Sequence, residues 1–168
     1  KYAKKIQTAA LPQEDLMERI LPRHFVFFLP RDIVSGDFFW AARKNGKTIM
    51  VAADCTGHGV PGAFMRMLGV SLLNEIVNVQ EVTAPAEILN QLRRNVIAAL
   101  HQTGEYESSR DGMDMTVCAL DTHKQELLAA GANNPLYLVR DGHLVIYPAD
   151  SMPIGMHDLM DPFQQHTI

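Results

Sequence analysis

Apolar and polar positions along this chain change period several times, and each change marks an element. Residues 2–10 place Tyr2, Ile6 and Ala10 on one helical face. Leu11-Pro12 ends that stretch, because a residue before proline is pushed out of the helical region. His24-Phe25-Val26-Phe27-Phe28-Leu29, aromatic and β-branched and closed by Pro30, reads as a strand. Two further apolar runs flank Asn45-Gly46, the dipeptide that suits a type I′ turn because both central residues need positive φ. Both faces of that hairpin are apolar: Phe39, Ala41 and Met50 on one, Phe38, Trp40 and Val51 on the other. Burial on both sides is the expectation.

The period then lengthens. Gly57-His58-Gly59-Val60-Pro61-Gly62 leads into a helix with Pro61 at its first position and an apolar stripe of Phe64, Leu68, Leu72 and Ile76. Met65, Leu73 and Val77 lie beside the stripe, and Arg66, Asn74, Glu75 and Asn78 form the polar side. A second helix is predicted from an N-cap at Thr83 ahead of Ala84-Pro85, with Ile88, Leu89, Leu92, Val96, Ala99 and Leu100 facing inward. After a polar loop over 102–111 come four strands, 115–120, 126–130, 136–140 and 143–147, the last two joined by Asp141-Gly142. Hairpin connections dominate, so the sheets are largely antiparallel and the fold class is an α+β sandwich with helices covering sheet faces.

Composition narrows the classes. The 168 residues suit one domain, and 47% apolar and 20% charged residues are ordinary for a globular chain. A net charge of −4 with no long basic run argues against a nucleic-acid partner. Every apolar run is interrupted before the roughly 20 residues that span a bilayer, and the first residues lack a signal-peptide core. The two cysteines, Cys55 and Cys118, sit in apolar sequence, for which a reducing, cytoplasmic setting is the simplest account.

Chemistry concentrates at the first hairpin. Counting outward from Asn45-Gly46 puts Asp37 opposite Asp54, and opposed side chains lie about 4.5–5.5 Å apart at Cβ. Two like charges at that spacing must share a proton, meet basic partners or hold a divalent cation, and a cation is the favoured reading. Mg²⁺ or Mn²⁺ takes carboxylates, a carbonyl and waters, which Asp37, Asp54 and the Cys55 carbonyl supply. The helix that starts beyond Gly57-His58-Gly59 would turn its N–H groups toward an anion, so cation and helix end together suit a phosphate.

Three segments carry a family resemblance: Asp32-Ile33-Val34-Ser35-Gly36-Asp37-Phe38, Asp54-Cys55-Thr56-Gly57-His58-Gly59-Val60-Pro61-Gly62-Ala63-Phe64-Met65, and Gly131-Ala132-Asn133-Asn134-Pro135-Leu136-Tyr137. In this order they resemble the motifs of SpoIIE-type bacterial phosphatases, within the metal-dependent, type 2C-like serine/threonine phosphatase superfamily. The resemblance implies a four-layer αββα sandwich around two Mn²⁺ or Mg²⁺ ions, with a bridging hydroxide that attacks phosphoserine or phosphothreonine directly. It also implies roles: Asp54 as bridging carboxylate, the Cys55 carbonyl as a ligand, and Asp37 on one ion only. The Asp111-Gly112-Met113-Asp114 segment resembles the family there, making Asp114 a further candidate ligand beside the plainer reading of a loop Asp capping a turn. Arg31, six residues before Asp37, is a candidate to hold substrate phosphate through its guanidinium fork, with a solvated surface Arg as the alternative.

The resemblance departs at the C-terminus, where the family's later Asp-Gly metal motif and final strand are expected just past residue 168, so the sandwich is read as incomplete there. Residues 1–12 read as a linker helix from an upstream regulatory module, or as the end of the domain itself, and 13–168 as the phosphatase domain. Implied partners are a phosphoprotein substrate of the anti-anti-sigma-factor kind, an upstream sensor through which the parent is attached to a membrane, and a second copy in a homodimer. Two rival readings stand: a non-catalytic regulatory or dimerisation module that keeps the fold, and a binding domain with salt-bridged Asp residues and no metal. Asn133-Asn134-Pro135 reads first as a turn whose side chains bond locally, with a catalytic amide as the alternative.

Overall fold

Asn45 and Gly46 both adopt positive φ, 50° and 78°, and the two-residue turn sets the register of the first hairpin with Lys44 facing Lys47. This computed structural model describes Gln7, Ala9 and residues 11–29, 33–105 and 109–168. Strands β1 (Phe38–Lys44) and β2 (Lys47–Cys55) form that hairpin. Strands β3 (Met113–Asp121) and β4 (Glu126–Ala132) extend it, and β7 (His166–Thr167) adds a short edge, giving an antiparallel sheet in the order β1-β2-β3-β4-β7. Strands β5 (Leu136–Arg140) and β6 (His143–Tyr147) make a separate ribbon, turned by Asp141 and Gly142 at φ 53° and 76°.

Opposed residues share a face, so the register divides the five-stranded sheet in two. Phe38, Trp40 and Ala42, with Ile49, Val51, Ala53, Met115, Val117 and Ala130, form the main core. Onto it pack helix α2 (Gly59–Leu73), a π-helical turn that continues it (Asn74–Val79), and helix α3 (Pro85–Ala99). Leu73, Ile76, Val77, Ile88, Leu89, Leu92 and Val96 are fully buried there. Each such aliphatic side chain contributes about 1.5–3 kcal/mol of transfer free energy. On the opposite face Ala41 meets Met17 and Ile20 of helix α1 (Glu14–Ile20), while Ala52 and Asp54 stay exposed. The expected burial on both faces therefore holds for one face and only part of the other. The architecture is an α+β sandwich, as the hairpin pattern predicts.

Several local expectations are corrected. Residues 24–29 form no strand: among the described residues no strand pairs with them, and Phe25, Phe27 and Leu29 are exposed. Only Phe28 docks, edge-on against Phe39. Helix α2 starts at Gly59, with His58 as N-cap, so Pro61 is its third residue. Its buried face is rotated from the expected stripe, leaving Phe64 69% exposed and Arg66 2% exposed. The cause is two glycines. A Cβ at Gly69 would lie 2.8 Å from the Met113 sulfur, and one at Gly62 would lie 2.5 Å from the Gly57 carbonyl oxygen. Small residues let the backbone approach on that side, and the large apolar side chains that suggested the stripe lie elsewhere. The N-cap of α3 is Ala84 and not Thr83, and Ala99 is exposed. The stretch Gly59–Val79, 21 residues, is long and apolar enough to cross a membrane, although the sequence reading finds no such run; Leu73, Ile76 and Val77 within it line the core.

Candidate metal centre at the end of the sheet

The register aligns four polar side chains across four strands. One step beyond the Phe38–Ala53 pair, Asp37 stands opposite Asp54. Asp54 is in turn paired with Asp114 on β3. One step beyond the Met115–Ala132 pair, Asp114 stands opposite Asn133, whose Nδ2 donates to Asp114 Oδ1 at 2.8 Å. All four lie at one end of the sheet, on the face away from α2 and α3. The row borders two adjoining hollows. One, of about 340 Å³, is lined by Val34 to Asp37, Asp54 and Gly57 to Gly59; the other, of about 300 Å³, by Asp54 to Gly57 and Asp114. Asp54 and Gly57 are common to both.

The loop carrying Asp37 is held from below. Ser35 Oγ accepts from the Asp37 N–H at 3.0 Å, and Gln7 bonds both backbone groups of Ser35, at 2.7 and 2.9 Å. Arg66 donates through Nη2 to the Gln7 carbonyl at 3.0 Å and through Nη1 to the Asp37 carbonyl at 3.4 Å. Its Nε has no hydrogen-bond partner among the described residues. Gly36 is needed for close approach, since a Cβ there would sit 3.1 Å from the Gly57 carbonyl oxygen and 3.2 Å from that of Cys55. On the other side Thr56 prolongs the β2–β3 ladder: its N–H donates to the Gly112 carbonyl at 2.9 Å and its Oγ1 accepts from the Gly112 N–H at 3.0 Å.

Electrostatics leave the row in need of positive charge. Although Asp54 as a whole is exposed, partial desolvation of its carboxyl, then the hydrogen bond and negative charge of Asp37, push it above its ordinary value. Among the described residues no salt bridge engages Asp37, Asp54 or Asp114. Burial, then the negative charges of Asp54 and Asp37, push the Cys55 thiol up to about 12, and its side chain is buried in the main core. No group of three His, Cys, Asp or Glu among the described residues converges on a point. That agrees with the row: the opposed steps are about 4.5–5.5 Å, so a single small ion reaches two neighbours and not three. Among the described residues the row thus offers neighbouring pairs of oxygen donors, the type a hard cation takes, and no three-residue cluster.

Of the residues singled out in the sequence, Asp37, Asp54, Cys55 and Asp114 come together, and Arg31 lies outside the described residues. The expected linker helix over 1–12 also falls largely outside them, with Gln7 and Ala9 helical. Sequence reasoning gives Asn133 first as a locally bonded turn residue, whereas its side chain reaches Asp114, and it places Arg66 on the polar side although Arg66 is buried. The signal for Arg66 was its position one helical turn from both Gly62 and Gly69.

Comparison with known proteins places this geometry. The family model described as Stage II sporulation protein E (SpoIIE) matches residues 44–168. No curated protein matches the sequence. Among solved structures, the SiaA-PP2C domain of Pseudomonas aeruginosa is 27% identical, with a TM-score of 0.86 over 99% of this chain and 64% of that one. The PP2C phosphatase domain with a fragment of the regulatory domain of SpoIIE from Bacillus subtilis is 14% identical, with a TM-score of 0.60 over 80% and 37% of the two chains. RsbX in complex with magnesium is 13% identical, with a TM-score of 0.54 over 80% and 60%. The last two share the fold alone, and the chain spans less than two thirds of the length of all three. With the family match covering most of its residues and the PP2C-type fold around the acidic row, the chain belongs to the SpoIIE family.

Proposed function

We propose that this chain is the catalytic domain of a metal-dependent phosphoprotein phosphatase acting on phosphoserine or phosphothreonine, the output end of a bacterial signalling protein. The observation that carries the reading is the placement of Asp54 between Asp37 and Asp114, one carboxylate common to two neighbouring pairs. Asp37 and Asp54 would hold one Mn²⁺ or Mg²⁺ with the Cys55 carbonyl, and Asp54 and Asp114 a second. Two such ions lower the pKa of water and offset phosphoryl charge. The chain's own contribution is to aim these oxygens and to present the start of α2, whose His58 and Gly59 line the Asp37–Asp54 hollow, toward the phosphate. That RsbX was solved with magnesium supports the choice of cation.

The substrate in this reading is a small phosphoprotein of the anti-anti-sigma-factor kind. The setting is cytoplasmic, downstream of a sensor or regulatory module joined through residues 1–12; the regulatory fragment beside the SpoIIE phosphatase domain supports that arrangement. The test is hydrolysis of an aryl phosphate and of a phosphoprotein by the full-length protein with Mn²⁺. Turnover that requires Mn²⁺ and vanishes in Asp54→Asn is expected. Normal folding with no Mn²⁺ uptake would favour the non-catalytic module instead.

A further inference from the structure

We propose that Asn133 is a positioning residue for the acidic row: its amide sets the orientation of the Asp114 carboxylate and leaves the other oxygen free to face Asp54. The inference rests on the reading that the row binds divalent cations.

The backbone around Asn133 is pinned on several sides. Its N–H donates to the Asp150 carbonyl at 2.9 Å, and the Asp150 N–H donates to the Gly131 carbonyl at 3.0 Å. The Asn134 carbonyl accepts from Thr116 Oγ1 at 2.7 Å, two residues along β3 from Asp114. The turn is too tight for a side chain at Gly131, where a Cβ would collide with the Asn134 carbonyl oxygen. Asn133 itself sits at φ 57°, a left-handed conformation that Asn tolerates better than most residues. Held this way, its side chain projects to Asp114, nineteen positions earlier in sequence, and Nδ2 meets Oδ1 at 2.8 Å. A carboxylate can only accept here, so the amide must present its N–H₂.

The Asn133 side chain is exposed. Water could satisfy it, and the core does not require this contact. What the contact does change is Asp114, which would otherwise be free to rotate away from the like charge of Asp54. Hydrogen bonds that orient ligating carboxylates are worth about 10–100-fold in metal affinity.

Calorimetry with Mn²⁺ on the full-length protein tests this, using Asn133→Gly, which keeps the left-handed backbone and removes the amide, and Asn133→Asp, which turns the donor into a repelling acceptor. Both should melt close to wild type and bind Mn²⁺ about 10–100-fold more weakly. Wild-type affinity in both variants, with binding abolished by Asp54→Asn, overturns the role of Asn133 alone. Absence of Mn²⁺ uptake by the wild type overturns both this and the underlying reading. Should either variant unfold, the wild-type Asn133 side-chain amide resonances give the answer. A shift on Mg²⁺ addition that is lost in Asp114→Ala supports the proposal, and no shift in the wild type rejects it.

Discussion

Arg66 reaches Asp37 through the backbone: its guanidinium donates to the Asp37 carbonyl and not to the carboxylate. The buried Arg66 guanidinium thus holds the loop, and among the described residues no salt bridge engages the acidic row above it. This division predicts how Arg66 variants behave. Arg66→Met fills similar volume but leaves the carbonyls of Gln7 and Asp37 without their donor, and it removes the unpaired Nε at the same time. Net destabilisation of about 1–3 kcal/mol is expected from urea unfolding, together with weaker Mn²⁺ binding as the Asp37 loop loosens. Arg66→Lys cannot fork to both carbonyls and should rescue neither property.

Asp54 predicts the pH dependence. Its folded-state pKa is raised above the ordinary 3.8, first by burial and then by Asp37. The folded state therefore binds the proton more tightly than the unfolded chain, and this contribution to stability is full below 3.8 and lost as pH rises through the raised value. Without metal, Asp54→Asn should melt higher than wild type at neutral pH, and its melting temperature should fall less on going up from pH 4. With Mn²⁺ the order should reverse, because only the wild type gains binding free energy. A metal-free wild type that stabilises steadily over the same rise in pH would contradict the charge repulsion inferred here.

The same two aspartates show how far the sequence was legible. Asn45-Gly46 sets a local register, so the pairing of Asp37 with Asp54 follows from counting along 18 residues of one hairpin. The pairing of Asp54 with Asp114 does not, since β2 and β3 are joined through two helices and their register is settled by packing. The strand expected over 24–29 failed for a related reason: β-propensity describes a residue on a pleated, half-buried surface, and no such surface is offered there.

Helix α2 separates the two readings by experiment. If the stripe inferred from periodicity were the buried one, Phe64→Ala would cost about 3–5 kcal/mol. With Phe64 69% exposed and Leu73 fully buried, the expected result is a change within about 0.5 kcal/mol for Phe64→Ala and a loss of about 2–5 kcal/mol for Leu73→Ala. Denaturant titration of the two variants side by side decides it.

Glycines 62 and 69 both admit close packing, yet they should respond differently to alanine. At Gly69 the added methyl meets the Met113 sulfur at 2.8 Å and the Phe38 ring at 3.1 Å, flexible neighbours that can shift by a few tenths of an ångström. At Gly62 it meets backbone, the Gly57 carbonyl oxygen at 2.5 Å and Gly36 Cα at 3.1 Å. Neither can yield without moving the loops that carry Asp37 and follow Asp54. Gly69→Ala is therefore expected to cost about 1 kcal/mol with Mn²⁺ affinity intact, near the mild end of overpacking. Gly62→Ala should cost about 3 kcal/mol, at the severe end. It should also weaken Mn²⁺ binding out of proportion to the stability lost, because the displaced atoms are those that set the distance between the two aspartate-bearing loops. Equal effects of the two substitutions on metal affinity would show that the Gly36–Gly57–Gly62 contact does not control the geometry of the site.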